Sequence, residues 1–347
     1  MSSQSSDRRS WVPTNPQYDA NQPFQVGGQA VLEGVMMRAP GSVATAVRRS
    51  DGTIAVQQFP YRSLIEKYPW LKTPILRGAV GLVDMMYIGI KTLNYSAEVA
   101  MEEVEAKKEP SNGDGTPLPK TEQSQWALIG SLVLALGMGV LIFFATPLYL
   151  TTTLFDLSQQ AMVFNLVTGL IRITLFLAYL GAISMMRDIK RLFQYHGAEH
   201  KAVFAFELNA DLVPTSVALQ SRFHPRCGTS FLLIVMFVAI LSFAVLDWFV
   251  LSWIGELTLV VRLATHLPFI PIVGGLSYEV IKFSAKHAAT WWGRVLVAPG
   301  LWLQRITTSE PDHSQIEVAI VALKSALGMS PAPAEAPQTS HTTAASV

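Results

Sequence analysis

Four stretches of the chain stay apolar for more than twenty residues each, with polar segments between them. The first, WALIGSLVLALGMGVLIFFATPLYL at 126–150, sits in an interval from Lys120 to Arg172 that holds no other lysine or arginine. At about 1.5 Å per residue it can cross a hydrocarbon layer roughly 30 Å thick. A second span is predicted at 161–186, with Asn165 and Arg172 inside it, a third at 228–254, and a fourth at 257–281. The fourth carries Arg262 and His266 and is interrupted by Pro268, Pro271, Gly274 and Gly275. A kinked or partly re-entrant segment packed inside the bundle is expected there, because broken helices at membrane depth need protein or water to satisfy their backbone.

Shorter periods mark the rest. VATAVRRSDGTIAVQQ at 43–58 alternates around Asp51–Gly52, which predicts a hairpin. From 74 to 100 the spacing is helical, with Leu76, Val80, Val83, Tyr87 and Ile90 on one side. Asp84, Lys91 and several glycines argue against a fifth span and for a helix on or just under the membrane interface. TWWGRVLVAPGLWLQRI at 290–306 has the Trp and Arg mix of a headgroup boundary. An amphipathic helix follows through Ile316, Ile320, Leu323 and Leu327, with Ser309 as N-cap, Pro311 in its first turn and Gly328 at its end.

The fold class expected is mainly α: a polytopic α-helical membrane protein of about four transmembrane helices, with a small α+β N-terminal cytoplasmic region. The chain divides into a disordered tail at 1–24, that region with its interfacial helix and linker at 25–120, the membrane bundle at 121–289, interfacial and amphipathic helices at 290–329, and a disordered tail at 330–347.

Composition agrees. Half of the 347 residues are hydrophobic and 15% are charged, against about a quarter in soluble domains. Basic residues are sided: apart from Arg172 and Arg262, all fall in the first 125 residues, in 187–227 or after 281. The positive-inside rule then puts both termini in the cytoplasm. This suits a cell inner (plasma) membrane, or a plastid membrane with the same sense, and makes the lipid bilayer a partner. A net charge of +1, without a basic run interleaved with aromatics, gives no reason to expect nucleic acid. Cys227 is the only cysteine, so no intrachain disulfide can form. The first 24 residues lack the apolar stretch of a signal peptide.

The candidate chemistry begins in RLFQYHGAEHKAVFAFE, 191–207. If the second span continues as helix past Met186, then Ile189, Phe193, His196, His200, Val203 and Glu207 share one face. Imidazoles at i and i+4 can reach one Zn2+ at about 2.0–2.1 Å. In an H-x-x-E-H arrangement the intervening Glu199 serves as general base. FHPRCGTSF adds His224 and Cys227 before the third span, the cysteine at a helix start that favours a thiolate, or else a small buried residue in a turn. GGLSYEVIKF adds Glu279, which could be a ligand or could pair with Lys282 or Arg226. Glu310 and Asp312 could simply answer a helix dipole. VGGQAVLEGVMMR is neither a Rossmann nor a P-loop fingerprint; its glycine pair suits close backbone approach, and Glu33 could be a ligand or pair with Arg38.

GGQAVLEGVMMR, YHGAEHK, HPRCGTSF, GGLSYE and PGLWLQRITTSEPDHSQIEVAIVAL, in that order, resemble the YqhQ-like membrane proteins of bacteria and plastids. The resemblance runs from Val26 to about Gly328, with no departure at His196, Glu199, His200, His224, Cys227 or Glu279. It implies a multi-span, metal-dependent enzyme of unassigned reaction.

The reading that follows is a membrane hydrolase holding a divalent metal, Zn2+ by preference, on His196, His200, His224, Cys227 and Glu279. Glu199 would be its general base and a lipid-linked or membrane-protein molecule its substrate. The rivals are a transporter or ion pathway using Arg172, Arg262, His266 and Glu279 as an intramembrane relay, and an assembly or scaffold factor with structural histidines.

Overall fold

The computed structural model describes residues 26–107, 125–157, 160–225, 227–287 and 290–329. The two expected tails and most of the linker before the first span lie outside these residues.

Residues 27–60 form an antiparallel sheet in the order β1 (Gly27–Val31), β2 (Gly34–Ala39), β3 (Ser42–Arg48), β4 (Ile54–Pro60). The β3–β4 hairpin is the one the alternation predicts. Arg48 pairs with Ile54, Gly52 takes φ +87°, and Asp51 Oδ1 accepts from the Thr53 amide at 2.8 Å. β1 and β2 are additional to the expected hairpin. They do not alternate in polarity because both faces are covered: Val35 and Met37 enter one core and Val31 and Met36 another.

Next come α1 (Leu64–Lys67), a 3-10 turn (Pro69–Lys72) and α2 (Leu76–Lys107). The first span joins α3 (Gln125–Val140), a π-helical turn (Leu141–Ala145) and α4 (Thr146–Leu154). α5 (Ala161–Ser184) is the second; α6 (Arg187–Glu207) and α7 (Pro214–Ala218) follow it; α8 (Gly228–Ile254) and α9 (Leu259–Lys286) are the third and fourth. α10 (Trp291–Thr307) and α11 (His313–Ala326) complete the described chain. Four segments are long and apolar enough to cross a membrane, Val133–Leu154, Ala161–Ser184, Phe231–Ile254 and Leu259–Ser284. The molecule is a mainly helical membrane protein with a small sheet.

The sheet is sandwiched. On one face it meets α6 and α11 through Tyr195, Ala198, Ala202, Ile316 and Leu323; on the other it meets Ile88 and Val99 of α2. Ile316, Leu323 and Leu327 of the predicted amphipathic stripe are all buried. Each such side chain contributes roughly 1.5–3 kcal/mol relative to exposure.

Several local expectations change. The second span does not run on into the histidine segment: Met186 is extended at ψ 137° and α6 starts afresh at Arg187. The fourth span is one unbroken helix despite Pro268 and Pro271. Packing against α8, α2 and α4 holds it, and each proline removes only one helical N–H. The last helix is capped by Asp312, not Ser309: Asp312 Oδ1 accepts from the Gln315 amide at 2.9 Å and Gln315 Oε1 accepts from the Asp312 amide at 3.0 Å. Glu33, on a turn with φ +50°, pairs with Arg191 rather than Arg38, because β1 lies along α6.

Candidate metal centre

α6 sets two imidazoles one turn apart, with ring centroids 4.4 Å from each other. Its backbone is clamped from outside. The Ser309 amide donates to the Phe193 carbonyl at 2.9 Å, and the Ser309 carbonyl approaches Gly197 so closely that a Cβ there would sit 2.2 Å from the oxygen. The α10–α11 connection is thereby laid along α6, and it presents the Thr307 carbonyl to His196 Nδ1 at 2.8 Å. His200 Nδ1 meets the Arg222 carbonyl at 2.5 Å.

A carbonyl only accepts, so each imidazole carries a proton on Nδ1, and in the neutral ring the lone pair is on Nε2. Burial favours that neutral form of His200, pushing its pKa down against a smaller pull from the nearby Cys227 thiol. Both Nε2 atoms turn toward Cys227, the N-cap of α8, whose Sγ accepts from the Thr229 amide at 3.4 Å. His196 Nε2 is 3.2 Å from Sγ, and the three donor atoms lie within 4.8 Å of one another. His200 Nε2 is buried without a partner at hydrogen-bonding geometry.

That donor set fits a divalent ion. Tetrahedral Zn2+ spaces nitrogen and sulfur donors by about 3.5 Å and takes neutral imidazole and thiolate. The carbonyl contacts on both Nδ1 atoms are the supporting bonds that metal-binding histidines require.

Glu199 is buried between this group and β1. Its Oε2 is 3.6 Å from His200 Nε2, and Gly28, whose missing side chain leaves room for the glutamate Cγ, donates its amide to the carboxylate. Burial pushes its pKa up, partly offset by His196, His224 and the Gly28 amide. His224 and Glu279 stand outside the three-donor group. The His224 ring lies 5.7 Å from His200, its Nε2 is 3.4 Å from Glu207, and its backbone is gripped by Gln304 at 2.8 and 2.7 Å. Burial pushes its pKa down. Glu279 is held by the Arg77 guanidinium, with Nε at 2.6 Å, rather than by Lys282; the other expected partner, Arg226, lies outside the described residues.

A second polar group is buried within the spans. Asp247 of α8 accepts from Asn165 at 2.7 Å, from Arg262 Nε at 3.0 Å, and meets His266 Nε2 at 2.8 Å. Arg262 lies 3.3 Å over the Phe164 ring. Sequence reasoning named Arg262 and His266 but not Asp247, although an acidic residue inside a span is itself a signal. It also missed Thr307 and Arg222, which act through main-chain oxygens and leave no sequence signature.

The profile of a family described as a protein of unknown function (DUF1385) matches residues 73–329. The chain belongs to that family. It is also 34% identical over 307 residues to the uncharacterized protein YqhQ of Bacillus subtilis (strain 168), covering 86% of this chain and 91% of that protein. No solved structure matches. The five motifs that carried the resemblance thus sit in a DUF1385 chain, and three of them, YHGAEHK, HPRCGTSF and the Thr307–Ser309 stretch, meet at one centre.

Proposed function

We propose that this DUF1385 protein is a metal-dependent hydrolase working at the cytoplasmic mouth of its bundle, in a cell inner or plastid membrane. Its substrate would be lipid-linked or a membrane protein. One observation carries the reading: His196 Nε2, an unpartnered buried His200 Nε2 and Cys227 Sγ converge within 4.8 Å.

In this reading those three residues hold a divalent ion, Zn2+ by preference, and leave a fourth position for water or substrate. Such an ion, when bound, lowers the pKa of water to about 7 and polarises a carbonyl or phosphoryl oxygen. Glu199 holds or releases a proton beside it, and the upward push of burial suits a general base better than a solvated carboxylate would. His224 supports the loop that carries Cys227 through its Gln304 contacts, and Glu279 is left out of the ligand set.

Metal analysis of detergent-purified protein tests this. Wild type should hold close to one ion per chain and the His196→Ala, His200→Ala double variant none. Glu199→Gln should keep normal abundance and metal but lose complementation. A wild type that takes up no ion even after exposure to Zn2+ ends the reading.

A second reading, an ion pathway, is favoured by the Asp247 group together with two buried atoms that lack a partner, His266 Nδ1 and Arg172 Nη2. Absence of metal, combined with ion flux abolished by His266→Ala, would select it. Glu279, paired with Arg77, has no part in that relay.

A further inference from the structure

Between Leu76 and Leu93, α2 buries polar residues and exposes a run of apolar ones. Several of its polar residues face the protein, although Lys91, Asn94 and Glu98 are exposed: Asp84 accepts from the Ser63 hydroxyl at 2.5 Å and the Leu64 amide at 3.1 Å, and Thr92 accepts from Gln29 at 3.1 Å. Ser96 is also buried on that side. Ile88 and Val99 also pack on the sheet, but a set of apolar residues faces away. Leu76, Leu82, Val83, Met86, Tyr87 and Leu93 are all exposed, with Val83 at 54%, Met86 at 52% and Tyr87 at 58%. At 3.6 residues per turn these six share an arc of about 140°.

The same helix is fastened to a membrane span. Gly78 meets Gly275 so closely that a Cβ on Gly78 would lie 2.9 Å from the Gly275 Cα, and Leu82 Cδ1 would be 2.7 Å from a Cβ on Gly274. Arg77 closes the contact by pairing with Glu279 of α9. The exposed arc therefore adjoins a helix long and apolar enough to cross a membrane. α2 itself falls outside the segments apolar enough to cross.

We propose that the outward face of α2, from Leu76 to Leu93, is a lipid-contact surface immersed in the acyl region of the leaflet nearest the sheet. Water is the wrong solvent for six apolar side chains on one arc, and the contact with α9 brings that arc to the bilayer. The sheet, packed on the other side of α2, then rests on a membrane-seated platform. This inference does not depend on the metal reading.

The test uses full-length protein in proteoliposomes with single cysteines at Val83, Met86 or Tyr87, labelled with bimane. Wild type, whose Cys227 is buried, serves as the labelling blank. Lipid carrying bromine on its acyl chains should quench these probes as strongly as a probe at Leu241→Cys on the exposed face of α8, and should leave Glu98→Cys bright. Quenching no greater than at Glu98→Cys, together with full reaction toward a membrane-impermeant maleimide, overturns the proposal. So does rapid oxidative cross-linking of Met86→Cys between two copies without quenching, which would make the face a dimer interface. Because the three side chains are exposed, loss of folding at one position leaves two others to be read.

Discussion

His196 Nε2 stands 3.2 Å from Cys227 Sγ, across 31 positions of sequence and two separate helices. The imidazole is not placed by its own helix alone, whereas the thiol is placed by the helix it caps. The Thr307 carbonyl turns the imidazole, and the start of α8 turns the thiol.

Removing the thiol should therefore loosen the ion without unfolding the protein. Cys227→Ala is expected to lower Zn2+ affinity by about 10-fold to 100-fold or more, on the scale seen when even supporting partners of a metal ligand are lost. Competition with a chelating dye reads it directly. An affinity equal to wild type would exclude Cys227 as a ligand.

Gly197→Ala places a Cβ 2.2 Å from the Ser309 carbonyl, which belongs to backbone and cannot step aside freely. A loss of about 1–3 kcal/mol in stability is expected, typical of overpacking. Metal content should fall with it, since displacing Ser309 also moves Thr307 away from His196. Thermal unfolding and metal analysis of the same sample give both readings.

Asp312 supplies a pH dependence. Partial burial pushes its carboxyl up, but the Ser314 hydroxyl and the Gln315 and Ser314 amides pull it further down, so its folded pKa lies below the usual carboxylate value. A depressed carboxylate pKa adds stability that is present above its unfolded value, near 3.9, and is lost as pH falls through the folded one. Asp312→Ala should thus cost about 1 kcal/mol at pH 7. The gap from wild type should narrow below about pH 4. Unfolding midpoints measured from pH 3 to 7 check the slope.

Within the bundle, Asp247→Ala leaves Arg262 and His266 buried beside an empty acceptor. Breaking such a group from one side typically costs about 3–5 kcal/mol. Replacing Asp247 and Arg262 together by apolar residues should cost less than the single change. Abundance in membranes and unfolding in detergent would show the order.

The four spans, the hairpin at Asp51–Gly52 and the stripe from Ile316 to Leu327 were legible because each has a strong period or an unbroken apolar run. β1 and β2 were not, since burial on both faces erases the alternation that marks a strand. The break at Met185–Met186 was hidden because no glycine or proline marks it between Ala182 and Asp188. At the site, His196, His200 and Cys227 could be named from residue type and spacing. Which of the five proposed ligands converge could not be read, because that depends on the path of residues 307–309 along α6 and on the partners that hold His224 and Glu279 elsewhere. Glu279 read as a ligand candidate because its partner, Arg77, lies 202 positions away.

The two oxygens that aim the imidazoles belong to the main chain at positions 222 and 307. A side-chain substitution at either place keeps its oxygen, and so does one at Ser309, whose contacts to α6 are also main-chain; the weak point is Gly197, where any side chain meets the Ser309 carbonyl, while Arg222 adds a separate side-chain tie to Thr308. The ring orientation is stored in loop geometry, and an engineer wishing to retune it would have to alter the length or torsion of those loops, not the letters within them.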